Sequence, residues 1–338
     1  MVSILHSSKE TKKSICAIHE FKSILQVIIN FYYIFHSKSF MYNKINFLDP
    51  KRKAAILIIL ATIFIAGTMV LAKSLGQDWL GKPLHPLIIS AGRFSFAWMA
   101  LVIIFVIKKP TIKSPNLKLH LMRSILGWSG VTLMFASASM IPLTDATAIS
   151  FLNPVFAMLF AVYFLKEKIG KYRWLAVFLA LTGSFILLRP SNNTFQIAGL
   201  LALFAAVLMG CELILMKMIT KKENSFQILI INNSIGFIVS ISAAYFIWQQ
   251  PTLYQWIALI SLGLLMICAQ AFYINAIALA DASYIAPFSY MTLIFVTFYD
   301  FALFHKIPDH ISLIGISIIL TGAILLAWRE KIKLEPKI

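Results

Sequence analysis

The run Ala54-Ala55-Ile56-Leu57-Ile58-Ile59-Leu60 decides the fold class of this chain. A strand of a transmembrane barrel alternates apolar and polar residues over about ten positions. Nothing alternates here, and the apolar character runs on to Ala72 with only Thr62, Gly67 and Thr68 as relief. A helix satisfies its own backbone in an apolar surrounding, and about 20 residues of it cross the hydrocarbon core. Working outward with that ruler gives ten stretches: 54–72, 87–107, 122–139, 146–165, 174–188, 197–216, 227–248, 255–275, 284–304 and 311–328. The expectation is an all-α polytopic membrane protein with ten transmembrane helices. Short connections leave no room for a soluble domain between them.

Composition agrees. The 338 residues are 60% hydrophobic and 13% charged, with a mean hydropathy of +0.84, whereas soluble domains are nearer half and a quarter. A net charge of +17 would point to nucleic acid in a soluble protein. In a membrane protein, basic residues gather instead on the cytoplasmic side. With the N-terminus inside, 25 of the 30 Lys and Arg residues fall on cytoplasmic segments. Lys73, Lys82, Arg189 and Lys306 fall on the other face, and Arg93 alone lies deep within a span, Arg123 at the very start of the third stretch being counted with the cytoplasmic side. This predicts N-in, C-in insertion, lipid as surroundings, and no nucleic-acid partner.

Residues 1–52 read as a basic cytoplasmic tail. Their apolar patch, Ile24 to Phe35, is too short to span and has no small-residue cleavage site, so it reads as an interfacial helix or tail and not a signal peptide. Met41 offers an alternative start close to the first span. Residues 331–338 form a second cytoplasmic tail. Cys16, Cys211 and Cys268 make no CxxC pair and no ligand cluster with histidine, so neither disulfides nor a metal is expected. No Walker loop, zincin motif, nucleophile elbow or dinucleotide fingerprint appears, so the sequence predicts no cofactor, no enzyme and no ATP-driven pumping within this chain.

An offset of 139 residues lays the third-to-fifth stretches on the eighth-to-tenth without a gap. Ser150 then meets Ser289, Phe156 meets Phe295, and Leu181-Thr182-Gly183 meets Leu320-Thr321-Gly322. Five helices per half is an odd number, so the second half enters the membrane inverted. The halves are expected at 53–190 and 191–330. Inverted repeats of this kind hold a solute near the bilayer midplane and pass it by alternating access.

The run Leu143-Thr144-Asp145-Ala146-Thr147-Ala148-Ile149-Ser150-Phe151-Leu152-Asn153-Pro154-Val155-Phe156, closing at Leu165-Lys166-Glu167-Lys168, resembles the EamA domain of the drug/metabolite transporter superfamily. So does Ala280-Asp281-Ala282-Ser283-Tyr284-Ile285-Ala286-Pro287-Phe288-Ser289-Tyr290. The resemblance covers about residues 53–330 and implies a secondary transporter of a small organic metabolite. One departure is Lys306, where that family's second half usually carries Glu at a helix end. Within the family the chain is most similar to S-adenosylmethionine uptake carriers of intracellular bacteria, whose acidic residue in the sixth helix would correspond to Glu212. Carriers exporting amino acids or amphipathic drugs share the scaffold and stand as the alternative. A membrane-embedded lipid-modifying enzyme is the alternative of another class, but it would want a cluster of His, Asp or Glu near one interface.

An ionisable side chain within a span costs roughly 2.5–3.5 kcal/mol on insertion scales, so each needs a reason. Glu212 reads either as a cation-binding or proton-coupling carboxylate, or as the partner of Lys217 or another base. Arg93 reads either as a clamp for a carboxylate or phosphate, or as a structural charge paired with Glu212 or Asp300. Pro154 and Pro287 remove backbone donors, and act as cavity-lining kinks, gates or plain packing bends. Ser289 and Tyr290 follow within a turn of Pro287 and are candidates to face the solute in the same cavity. Asn232 and Gln270 either bind solute or hydrogen-bond between helices. Trp128 is the ring best placed for an aromatic ligand. Asp145 and Asp281, at helix starts, read as caps.

Overall fold

A computed structural model describes residues 49–334 apart from 111, 113, 114, 154, 158, 161–170, 189–192, 221, 222, 280–287 and 290. Pro154, Pro287, Tyr290 and Asp281, and the question of Met41, therefore lie outside the described residues. Among those described there is no strand. The helices are α1 (Pro50–Gly76), α2 (Pro86–Lys108), α3 (Leu117–Met140), α4 (Leu143–Ser150), α5 (Lys171–Leu188), α6 (Asn193–Thr220), α7 (Ser225–Tyr245), α8 (Leu253–Leu279), α9 (Met291–Phe304) and α10 (His310–Leu334). The described residues from 54 onward form one compact unit.

Five segments are long and apolar enough to cross a bilayer: Arg52–Gly76, Pro86–Ile107, Ile197–Thr220, Ser225–Tyr245 and Leu253–Ala276. Val177–Leu187, Met291–Phe304 and His310–Gly322 are apolar but shorter. The chain is thus an all-helical, multi-pass membrane protein. The helix over 117–140 begins a turn earlier than the apolar run, taking Lys118, His120 and Arg123 into its body. The expected span 146–165 is interrupted. Helix α4 stops at Ser150; Phe151 N is shared between Thr147 O (3.1 Å) and Ala148 O (3.2 Å), and Leu152 N turns to Ile149 O three residues back (3.1 Å).

Local sequence sets the other ends. Helix α2 opens on His85, whose Nδ1 accepts from Leu87 N at 3.2 Å, with Pro86 in the first turn, where a missing N–H costs nothing. It closes on Lys109 in the left-handed region (φ 43°), whose N–H donates to Phe105 O. Asn116 accepts from Leu119 N ahead of α3, and Asn224 from Gln227 N ahead of α7.

Small residues set which helices touch. Helix α2 is seated between α7 and α8. A side chain at Gly236 would run into the Phe94 ring, and one at Gly263 would lie 3.0 Å from the Arg93 carbonyl. Ala97 and Leu101 of α2, Leu229 of α7, and Ile267 and Ile274 of α8 fill this contact. Between helices in lipid such a contact is held by van der Waals packing, because lipid tails are as apolar as the side chains. A second core joins α4, α5, α6, α9 and α10 around Ile149, Leu187, Ala202, Leu293 and Ile319. Helix α3 lies along α6, and α5 along α10.

Candidate functional site

Helices α3 and α6 bring together the first two charges. Arg123 Nη2 lies 3.3 Å from Glu212 Oε1, and reaches Met216 Sδ, one turn further along α6, at 3.5 Å. Arg123 is buried, while the Glu212 side chain keeps 20% of its surface exposed. The carboxylate has room because residue 127 is glycine: a Cβ there would stand 2.9 Å from Glu212 Cδ. Glu212 therefore has a base for a partner, and that base is Arg123. The charge count grouped Arg123 with the cytoplasmic connection before it. It sits instead in the second turn of a buried helix, a position that an apolar window cannot separate from the loop before it.

Arg93, on α2, is only 2% exposed. Its guanidinium lies over the Phe94 ring at 4.2 Å. Neither Nε nor Nη1 has a hydrogen-bond partner. The expected structural pairing with Glu212 or Asp300 is not made. Glu212 stands near enough for its charge to act on Arg93 and on the Tyr273 hydroxyl of α8, but without an ion-pair contact to Arg93. Asp300 is occupied elsewhere. Burying an ion without a partner is costly, so this guanidinium is the anomaly of the site.

The neutral candidates divide. Asn232 Oδ1 accepts from Ser124 Oγ at 3.1 Å, tying α7 to α3 one residue from Arg123. Gln270 Oε1 accepts from Asn233 Nδ2 at 3.3 Å, tying α8 to α7. Both are engaged between helices, the second of the two roles the sequence allowed. Asn233, next to Asn232 on α7, is 1% exposed, with Oδ1 unpartnered. Trp128 is half-buried on α3, and its Nε1 is a buried donor without a partner. Ser289 is half-buried, its carbonyl accepting from Thr292 Oγ1.

Two further charge clusters escaped the sequence reading. Lys73 Nζ lies 2.8 Å from Asp300 Oδ1, with the two side chains 4% and 1% exposed. Thr144 N and Oγ1 both donate to Asp300 Oδ2, at 3.0 and 3.3 Å. Lys73 also stands over the Phe304 ring at 4.4 Å. So α1, α4 and α9 are joined at one point, beside a cavity of about 160 Å³ that Asp145 and Lys306 also line. Helix α4 has Pro142 ahead of it and no side-chain cap from its own sequence. Its first turn is capped by Asp300 from α9, which accepts from the Thr144 amide and hydroxyl. Lys73 is a buried helical residue and not the loop charge it was counted as. Elsewhere, His120 Nε2 lies 2.9 Å from Glu223 Oε2, and Gln227 Nε2 donates to the same oxygen at 2.6 Å. This pair joins the start of α3 to the α6–α7 connection.

The EamA-like transporter family model matches the chain twice, over residues 52–189 and 196–328. The S-adenosylmethionine uptake transporter of Rickettsia bellii (strain RML369-C) is 29% identical over 268 residues, 79% of this chain and 92% of that relative. A riboflavin transporter of Vibrio cholerae is 26% identical, over 66% of this chain and 76% of its own length. A pseudopaline exporter of Pseudomonas aeruginosa is 22% identical over 62% and 75%. One solved crystal structure shares the fold with a TM-score of 0.58 at 17% identity, covering 82% of this chain and 98% of the other. Two matches that together take in most of the chain settle its kinship: it belongs to the EamA-like transporter family.

Proposed function

We propose that this membrane transporter is a secondary carrier that takes up S-adenosylmethionine across the bacterial inner membrane by alternating access. The observation that carries the reading is the provenance of the buried charges. Arg93 and Arg123 come from α2 and α3, and Glu212 from α6, so the site is shared between residues 53–190 and 191–330. A solute held there touches both halves and can be passed between them as they rock.

Helix pairing supports the inverted repeat. Helix α2 lies against α7, α4 against α9, and α5 against α10, each on the helix five places later in the order. A pseudo-twofold axis relating the halves produces such self-pairings. The charge asymmetry of the connections supports N-in, C-in insertion. S-adenosylmethionine carries an ammonium and a sulfonium, for which the exposed part of Glu212 is a counter-charge, and an adenine ring, for which Trp128 is a stacking surface.

The test is uptake of labelled S-adenosylmethionine by proteoliposomes. Saturable uptake by the wild-type protein, lost in Glu212→Gln, is the expected outcome. Unimpaired uptake by the Gln variant would sink the role given to Glu212. Transport of riboflavin or neutral amino acids in place of S-adenosylmethionine would overturn the substrate.

A further inference from the structure

We infer that Arg93 is the receptor for a carboxylate of the transported solute, so that recognition turns on the anionic end of the substrate as well as its cationic end. This rests on the reading of the chain as a carrier with its site at Arg93, Arg123 and Glu212.

Three observations converge on it. The first is charge balance. Among the described residues the site holds two guanidiniums and one carboxylate, and Arg123 lies against that carboxylate. Asp300, the other acid the sequence offered to Arg93, is committed to Lys73 and Thr144. One positive charge is left over, on a side chain 2% exposed that keeps its proton under all ordinary conditions. The second is donor balance. The unpartnered buried atoms of the two guanidiniums are Nε and Nη1 of Arg93 and Nε and Nη1 of Arg123, all donors. A ligand completing this site must bring acceptors. The third is mounting. The Phe94 ring supports the Arg93 guanidinium at 4.2 Å, and α7 closes on that ring at Gly236, so the fork is held and not free to snorkel. A carboxylate fits both balances, with acceptor oxygens for donors that lack partners and one negative charge for the one in excess. A phosphate, nearer two charges, would overshoot.

The experiment compares matched ligands in thermal unfolding of the purified full-length protein, where a ligand of the folded state raises the midpoint. The pairs are S-adenosylmethionine with its decarboxylated form, and methionine with 3-(methylthio)propylamine. Riboflavin and inorganic phosphate complete the panel. The carboxylate member of a pair is expected to bind roughly ten- to a hundredfold more tightly, the range for hydrogen bonds to a charged group. Arg93→Gln is expected to abolish that preference, and Arg93→Lys to keep part of it. If Arg93→Gln does not fold, the wild-type pairs decide alone. Equal binding within each pair, stabilisation by none of the carboxylates, or phosphate binding as well as they do overturns the inference. A preference within the methionine pair with S-adenosylmethionine inert upholds the carboxylate receptor and overturns the substrate proposed above.

Discussion

Lys73–Asp300 and Arg123–Glu212 are both ion pairs between helices far apart in the chain, yet they are finished to different degrees. Asp300 gives one oxygen to Lys73 and the other to the Thr144 amide and hydroxyl, and the ammonium also faces the Phe304 ring. Every strong interaction there is internal to the protein. Around Arg123 and Glu212 the contact is single and longer, the carboxylate is partly exposed, and Arg93 close by has no anion. A cluster complete in itself holds helices together. One left short of acceptors is built to be completed by something that arrives and leaves.

The largest effect that would break this contrast belongs to the complete cluster. Asp300→Asn leaves the Lys73 charge buried without its counter-charge and weakens the cap on α4. Removing one partner of a buried pair typically costs about 3–5 kcal/mol. The expected result is a large fall in the unfolding midpoint of the purified protein. The double variant Lys73→Met with Asp300→Leu should regain much of it, since an apolar pair of similar volume has no charge to desolvate. A tolerant Asp300→Asn would mean that the pair is no lock, and the contrast would fail from that side.

The next effect sharpens the contrast from the other side. Gly127→Ala puts a methyl group 2.9 Å from Glu212 Cδ. The obstructed atom is near the end of a flexible, partly exposed side chain, so the carboxylate can swing aside. Folding stability is expected to fall by less than about 1 kcal/mol, below the usual cost of overpacking. Uptake affinity is expected to drop by about tenfold, the worth of one charged hydrogen bond. Titration of uptake beside thermal unfolding separates the two. A loss confined to stability would make Gly127 a packing residue and leave the carboxylate position without consequence.

The same contrast explains what could be read from the sequence. The helical class followed from unbroken apolar runs such as 54–60, and the family from the stretch around Asn153-Pro154. Arg93 and Glu212 stood out because each interrupts an apolar run well inside its limits. Lys73 and Arg123 did not, because they lie where apolar runs end, and there a basic residue in a loop and one in a buried turn look alike. Their partners, Asp300 and Glu212, are 227 and 89 positions away, and no local pattern links them. The cap on α4 shows the same limit: a carboxylate that accepts from its Thr144 amide comes from α9, 156 positions on, and no local pattern points to it. The room made by Gly127 was equally hidden, because its meaning depends on which residue of α6 crosses it.

The smallest predicted effect concerns Asn232, which the sequence offered as a solute ligand and the structure joins to Ser124. Hydrogen bonds between membrane helices average about 0.6 kcal/mol, because the separated helices find other partners. Asn232→Ala should therefore lower stability by about that amount, and should leave the preference for carboxylate ligands where it was. Its neighbourhood makes the measurement worth the effort, since Ser124 follows Arg123 directly on α3. If the bond only ties α7 to α3, uptake affinity and stability move together and slightly. A loss of uptake affinity well beyond the loss of stability would place Asn232 among the groups that meet the solute. The boundary between the lock and the receptor would then run through α7 and not beside it.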